Sequence, residues 1–175
     1  MTERLARTTA VGDRRTAFVA LAEAELDGAY RLAAVILGDP WQAEDATHDA
    51  VVQAWLRYGS LRDPARFGGW FQRILVNICR DRLRERRRRP TAALVEVHAP
   101  AADAIGSVDD RLVLDAAFDR LSPDHRVVLA LRYYGDRTVD QIADLLGVPA
   151  GTVKSRLHVA VERMREALAS TEGQR

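Results

Sequence analysis

Residues 145–164 read LLGVPAGTVKSRLHVAVERM, in which two segments with helical apolar spacing are separated by a very short turn. Just upstream, Thr138 and Gln141 have the Thr-x-x-Gln spacing of a capping box, so we predict that the first helix begins there and ends at Gly147. The second helix follows Pro149. Two helices joined by so short a turn indicate a helix-turn-helix, and this motif organises the C-terminal part of the chain.

The second helix of this pair has two different faces. Its inward stripe is apolar, whereas the opposite face carries small side chains, hydroxyls and flanking cations, which suits a helix that enters a major groove between phosphates. The DNA-contacting residues predicted on this basis are Gly151, Thr152, Lys154, Ser155, Arg156 and His158. The alternative is an ordinary helical hairpin with a solvated polar face. Lys154 is the only lysine in the chain, so its position does not follow from lysine abundance.

Composition limits the classes of protein to which the chain can belong. Its 175 residues are 47% hydrophobic and 29% charged, which suits one medium domain or two small ones. The formal net charge is only +1, so affinity for a polyanion requires local segregation of charge. The single cysteine, Cys79, excludes an intramolecular disulfide and fits a reducing compartment. No signal peptide or apolar membrane span is evident, so we expect a cytoplasmic chain without membrane insertion.

Helical periodicity interrupted by Gly and Pro predicts an all-α chain, with two small helical domains joined by a flexible linker. The first domain spans residues 13–89: a helix from about 13 to Gly38, another from Asp39-Pro40 to about Gly59, and a long helix from about Trp70 into an arginine run. Residues 90–108 form an acidic linker without Lys or Arg. The second domain spans 109–170 and contains the helix-turn-helix, preceded by helices at about 109–120 and from Ser122-Pro123 to Tyr134.

No pattern in the chain indicates an enzyme. The four histidines are scattered, no metal-ligand spacing occurs, and there is no Gly-rich phosphate loop. No pair of carboxylates stands out as a general acid and base. We therefore expect no catalytic activity, no cofactor and no metal site.

Two long segments resemble a known family. LDAAFDRLSPDHRVVLALRYYGDRTVDQIADLLGVPAGTVKSRLHVAVERMREAL resembles the fourth conserved region of bacterial sigma-70-family factors of the extracytoplasmic-function (ECF) group. AEDATHDAVVQAWLRY and FGGWFQRILVNICRDRLRERRR are similar to their second region. The resemblance implies a sigma factor that binds core RNA polymerase, recognises the −35 and −10 elements of promoter DNA and directs transcription initiation. It also implies control by an anti-sigma factor.

The resemblance further implies roles for residues of the first domain. Asp45, Asp49 and Gln53 recur along one helix face, which resembles the polymerase-binding surface, although an acidic face is often simply solvated. Residues 62–69 resemble the loop that receives a flipped base, with Gly68 and Gly69 allowing close backbone approach. The residues implied in −10 binding are Arg66, Arg73, Asn77, Arg80 and Arg84. Trp70 could stack on a base, but core packing is favoured.

The run from Arg80 to Arg89 holds seven arginines and two acidic residues, a net charge of +5. Such a run is commonly a solvated helix end, but beside a DNA-binding helix it would lie along promoter phosphates. A stand-alone helix-turn-helix regulator is the alternative function. It accounts for the second domain and leaves the first domain without a role.

Overall fold

The computed structural model describes residues 2–88 and 108–172, and within these ranges it contains helices and no strand. The helices are α1 (Thr2–Leu37), α2 (Pro40–Arg57), α3 (Phe67–Arg88), α4 (Val108–Asp119), α5 (Pro123–Leu129), α6 (Val139–Leu146) and α7 (Ala150–Glu172). The all-α prediction is confirmed. The predicted linker, residues 90–108, lies outside the described residues except for Val108, which begins α4.

The junction between α1 and α2 forms as local chemistry predicts. Gly38 ends α1 in the left-handed region at φ 67°, where a glycine pays no steric penalty. The Asp39 carboxylate then accepts hydrogen bonds from the backbone N–H groups of Trp41 and Gln42, with Pro40 as the first residue of α2. At its other end, α1 begins at Thr2 rather than near residue 13, because residues 2–11 contain neither glycine nor proline.

The connection between α2 and α3 differs from the prediction. Short 3₁₀ turns at Tyr58–Ser60 and Pro64–Arg66 lead directly into α3, so Gly68 and Gly69 lie in its first turn and not in a loop. The prediction of a loop over residues 62–69 was therefore right for residues 62–66 and wrong for Gly68 and Gly69, because Phe67, only 1% exposed, anchors the first turn of α3 in the core. Gly68 nevertheless allows α3 to lie close to α1, since a Cβ at this position would come within 2.6 Å of Oε1 of Glu25 in α1.

Alanines and aromatic rings build the core of α1–α3. The buried face of α2 consists largely of alanines at helical spacing, which lets its backbone approach α1 closely; they are Ala43, Ala46, Ala50 and Ala54. Phe18 of α1 meets Trp55, Tyr58 and Phe67 edge-to-face, with ring centroids 5.1 to 5.8 Å apart. Trp70 is half-buried against Phe67 and the core, which agrees with the favoured packing role.

The helices α4–α7 contain the predicted helix-turn-helix. The Thr138 hydroxyl accepts from the Gln141 N–H while the Gln141 side chain accepts from the Thr138 N–H, so the capping box at the start of α6 is confirmed. Gly147 ends α6 at φ 66°. The stripe of α7 centred on Val153 and Ala160 packs on α4, α5 and α6. The last turn after α5, Ala130–Tyr134, is wound as a π-helix.

The two helical units pack against each other. Helix α3 contacts α5 and α6, and α1 contacts the π-helical turn. Buried apolar residues of both units form one continuous cluster, with Leu75 and Val76 of α3 in the same cluster as Val128, Leu131 and Ile142 of the C-terminal unit. In the described part of the chain, no helix combines the length and apolarity that crossing a membrane requires.

Candidate nucleic-acid and polymerase interfaces

The N-terminal half of α7 presents the predicted DNA-contacting residues to solvent. Gly151, Lys154, Ser155 and His158 are exposed, and Thr152 is half-buried. The Ser155 hydroxyl donates to the Thr152 carbonyl at 3.0 Å, so its oxygen is left as a hydrogen-bond acceptor. The backbone carbonyl of Pro149 accepts hydrogen bonds from the N–H groups of Thr152 and Val153 in the first turn of α7. This end of α7 therefore offers a hydroxyl acceptor beside a lysine with no bulky side chain between them.

Arg156 differs from its neighbours on α7 because it has a carboxylate partner. Its Nη2 lies 3.5 Å from Oδ2 of Asp124 in the first turn of α5, and its side chain is 25% exposed. The other oxygen of Asp124 accepts a hydrogen bond of 3.3 Å from Nη2 of Arg84 in α3. One carboxylate thus joins an arginine predicted to bind the −35 element to an arginine predicted to bind the −10 element.

The remaining predicted −10 residues lie along α3 and its entry. Arg66 and Arg73 are exposed, whereas Asn77 accepts a hydrogen bond of 3.0 Å from Nη2 of Arg80. The Arg73 guanidinium lies beside the helix-turn-helix, since a Cβ built on Gly147 would come within 2.7 Å of its Nη2. The structure thus places all of these residues on α3 except Arg66, which lies in the turn before it, and brings Arg73 and Arg84 into contact with the C-terminal unit.

A second carboxylate, Asp119 at the end of α4, also meets arginines from both units. Arg126 of α5, 3% exposed, donates to Oδ1 of Asp119 and stacks over the ring of Phe118. Arg86 of α3 lies 3.7 Å from the same oxygen. Burial lowers the pKa of Arg126, and its hydrogen bond to Asp119 opposes that shift.

Arginines of each unit occupy a helix C-terminus of the other. Gly38, the cap of α1, faces Arg126, since a Cβ there would lie 2.5 Å from its Nη2. The same helix end also receives Arg86 of its own unit, which donates to the carbonyl of Leu37 at 3.2 Å. In the same way, Gly147, the cap of α6 in the C-terminal unit, faces Arg73 of the N-terminal unit. Cations suit these positions because a helix C-terminus carries partial negative charge.

The predicted polymerase-binding residues lie along one side of α2. Asp45 and Asp49 are exposed and Gln53 is half-buried. Arg82 of α3 pairs with Asp49 at 2.6 Å and approaches Asp45 at 3.9 Å. Sequence reasoning missed that arginine, and it also missed the exposed apolar side chains of Trp41, Val52, Trp55 and Leu56 on the same helix. Helical spacing could have placed Val52 and Leu56 beside the acidic stripe.

Among the residues that the structure describes, no cluster of three or more His, Cys, Asp or Glu side chains could hold a metal ion. Burial raises the pKa of Cys79 to about 12, which leaves an inert thiol at neutral pH. Burial, followed by the charges of Arg163 and Arg156, lowers the pKa of His125. His125 follows Asp124 in α5, and the charge of Arg87 in α3 also acts to lower its pKa.

Comparison with known proteins gives consistent matches across the chain. Family models described as Sigma-70 region 2 and Sigma-70, region 4 match residues 21–89 and 117–166. The ECF RNA polymerase sigma factor SigM of Mycobacterium tuberculosis is 35% identical over 139 residues, which cover 79% of this chain and 70% of that protein. SigL of the same species is 33% identical over 144 residues, covering 79% of this chain and 81% of that protein.

Two further matches come from other genera. The RNA polymerase sigma-E factor of Streptomyces coelicolor is 31% identical over 148 residues, covering 83% of this chain and 82% of that protein. Among solved structures, the chain is similar to the sigma factor RpoE of Bartonella quintana in complex with the anti-sigma factor NepR. That match has a TM-score of 0.61 and 26% identity, and it covers 90% of this chain and 97% of that one.

Proposed function

The chain belongs to the ECF group of sigma-70-family RNA polymerase sigma factors, and we propose that it reads promoters with the exposed end of α7 and the arginine-rich face of α3. As a sigma factor it directs transcription initiation, and it does so as a DNA-binding initiation factor rather than an enzyme. The match of its N-terminal half to Sigma-70 region 2 argues against a stand-alone helix-turn-helix regulator.

The exposed N-terminal face of α7 is the observation that carries the proposal for the −35 element. Lys154 would contact phosphate and set the register of the helix, while the Ser155 oxygen would accept from a base amino group. Gly151 and Thr152 leave room for the approach of a base edge, and His158 would extend the contact toward the backbone. Arg156 would join them once released from Asp124.

The proposal for the −10 element rests on α3. Its arginines recur along a helix whose other side is buried, so several cations point away from the core along one line. Arg66 and Arg73 are exposed near the start of that line, and Asn77 offers a hydrogen-bonding edge to an unstacked base. Arg80 and Arg84 would follow the phosphates beyond it.

We propose that core RNA polymerase binds the side of α2 that carries Asp45, Asp49 and Gln53. Support comes from the adjacent exposed Val52 and Leu56, which give the acidic stripe an apolar border that can be buried against a protein partner. We further infer that the chain works in the cytoplasm, where the polymerase acts. Control by an anti-sigma factor is proposed because the similar Bartonella quintana sigma factor was solved in complex with one.

Promoter-specific run-off transcription with purified core polymerase tests the function, and binding to −35 duplexes tests the role of α7. We expect Lys154→Ala to weaken binding to every −35 sequence about equally and to reduce the slope of log affinity against log salt by about 1. Ser155→Ala should instead change the order in which −35 sequences are preferred. Arg165→Ala is the matched control, because Arg165 is an exposed cation on the same helix that pairs with Glu162. Equal loss of binding in the Arg165 and Lys154 variants would contradict the assignment.

A further inference from the structure

The arginines proposed to bind promoter DNA are partly occupied by carboxylates of the same chain. Asp124 binds Arg84 of α3 and Arg156 of α7, and Asp119 binds Arg86 of α3 as well as the buried Arg126. Arg87 also donates to the carbonyl oxygens of Arg120 and Leu121. Carbonyl and carboxylate oxygens from the corner between α4 and α5 therefore hold the same arginines that would hold phosphate oxygens.

The closed arrangement also covers surface that DNA would need. Arg73 lies against the glycine cap of α6, immediately before the turn that leads to the recognition end of α7. A promoter strand that follows α3 would have to displace this turn, because Arg73 and the helix-turn-helix are in direct contact. The contact of Asp124 with Arg84 and that of Gly147 with Arg73 thus cover two points along α3.

We propose that the corner formed by Asp119, Arg120, Leu121 and Asp124 is an internal competitor for nucleic acid, which holds the free chain closed with its −10 and −35 surfaces against each other. The inference rests on the proposed function, since it takes the α3 arginines to be DNA-binding residues. Asp124 is the central residue, because its two oxygens connect α3 directly to the recognition helix. Opening replaces arginine–carboxylate pairs with arginine–phosphate pairs.

The ion-pair edge of the interface has the properties of a separable contact. Arg84 is 42% exposed and Asp124 30% exposed, so water and salt reach the bridge. A cavity of about 360 Å³ lies between the units, and it is lined by Gln72 of α3 and by Tyr134 and Arg137 of the C-terminal unit. Buried apolar residues join the units elsewhere, so the ion pairs favour the closed arrangement without being its only support.

The test measures the distance between the units in the full chain. Glu23→Cys in α1 and Glu166→Cys in α7 place dyes on exposed sites of the two units, while the buried Cys79 stays unlabelled. Asp124→Asn should increase the mean distance between the two dyes. Arg84→Gln, which removes the partner of Asp124 in α3, should increase it as well. Asp140→Asn is the matched control, because Asp140 is likewise an acidic residue in the first turn of a helix of the same unit.

DNA affinity is measured separately by titration of a promoter duplex carrying a −35 element. Asp124→Asn removes one or two partly exposed ion pairs and so increases the population of the open form. The apparent affinity for the duplex should therefore rise about three- to tenfold. The Asp140 variant should match the wild type in both measurements. An unchanged separation in both the Asp124 and Arg84 variants would overturn the proposal, as would an opened Asp124 variant with unchanged affinity.

These outcomes are independent of the test of function. If the recognition face were wrongly assigned, Lys154→Ala would leave −35 binding unchanged whatever the distance between the units. If only the competitor were wrongly assigned, Lys154→Ala would still weaken binding while Asp124→Asn left the separation at the wild-type value.

Discussion

Two glycines, one inside α1 and one immediately after it, should change stability in opposite directions when each is replaced by alanine. Gly38 holds a φ of 67°, and a Cβ there would also lie 2.5 Å from Nη2 of Arg126. Gly28 lies inside the helix, and a Cβ there would meet no atom within 4 Å. Gly38→Ala should therefore destabilise the N-terminal unit, whereas Gly28→Ala should stabilise it.

The magnitudes follow from backbone conformation. An alanine in the left-handed region costs about 1–2 kcal/mol, and displacement of the Arg126 guanidinium adds to that cost. Replacing a glycine inside a helix with alanine gains about 0.5–1 kcal/mol. With a urea dependence of about 2 kcal/mol per molar, the two variants should differ in unfolding midpoint by about 1 M.

Cys79 provides the assay. It is the only cysteine, it is fully buried, and burial raises its pKa to about 12, so a thiol reagent should label it only when the core of α1–α3 opens. Pulse labelling across a urea series then reports the midpoint for that unit alone. A third variant, Gly38→Asn, keeps the collision with Arg126 but tolerates a positive φ better, so it should fall between the wild type and Gly38→Ala.

Equal midpoints for Gly38→Ala and Gly28→Ala would refute this reasoning. A Gly38→Asn variant as unstable as Gly38→Ala would instead show that the collision with Arg126 dominates over backbone strain.

Three further predictions concern the cap, the histidine and the acidic side of α2. Thr138→Ala should destabilise the C-terminal unit by about 1 kcal/mol in chemical denaturation, whereas Thr138→Ser should retain most of the stability because its hydroxyl can still accept from Gln141. The pKa of His125 is lowered in the folded chain, so the unfolded state takes up a proton first as the pH falls. The contribution of His125 to stability is therefore present above pH 6.5 and is lost as the pH falls below that value. His125→Gln should reduce the loss of stability between pH 7.5 and pH 5.5. Asp45→Asn with Asp49→Asn should reduce capture by core polymerase without changing helical content, whereas Asp27→Asn on the exposed side of α1 should have no effect; full capture of the Asp45 and Asp49 variant would mean that these residues serve only Arg82.

The features that sequence predicted are those decided within a few residues. Asp39, Ser122 and Thr138 cap helices because their side chains reach backbone N–H groups two or three positions away, and Gly147 ends α6 through its own backbone conformation. Such contacts need no knowledge of the remainder of the fold. The helix boundaries near these residues were accordingly close to those observed.

The features that sequence did not predict depend on which distant segments meet. Gly68 and Gly69 favour a loop on local grounds, but burial of Phe67 draws them into a helix. Nothing near Arg126 in sequence indicates that it is almost fully buried against α1. The same is true of Asp124, whose partners lie 40 residues before it in α3 and on the far side of the turn in α7.

The π-helical turn after α5 has a consequence for chain length. A π turn holds more residues than an α turn, so Ala130–Tyr134 contains slack that an α-helix would not have. Removing one residue there would restore α winding and leave the direction of the following segment nearly unchanged, because four α residues turn the chain about as far as five π residues do. Removing one residue from α5 itself, which has no such slack, would instead rotate the following segment by about 100° about the axis of α5. Because Gly135 and Thr138 follow at once, that rotation would pass directly to the start of α6. The azimuth at which the helix-turn-helix leaves the preceding helix is therefore sensitive to the length of α5 but tolerant of losing one residue from the π turn.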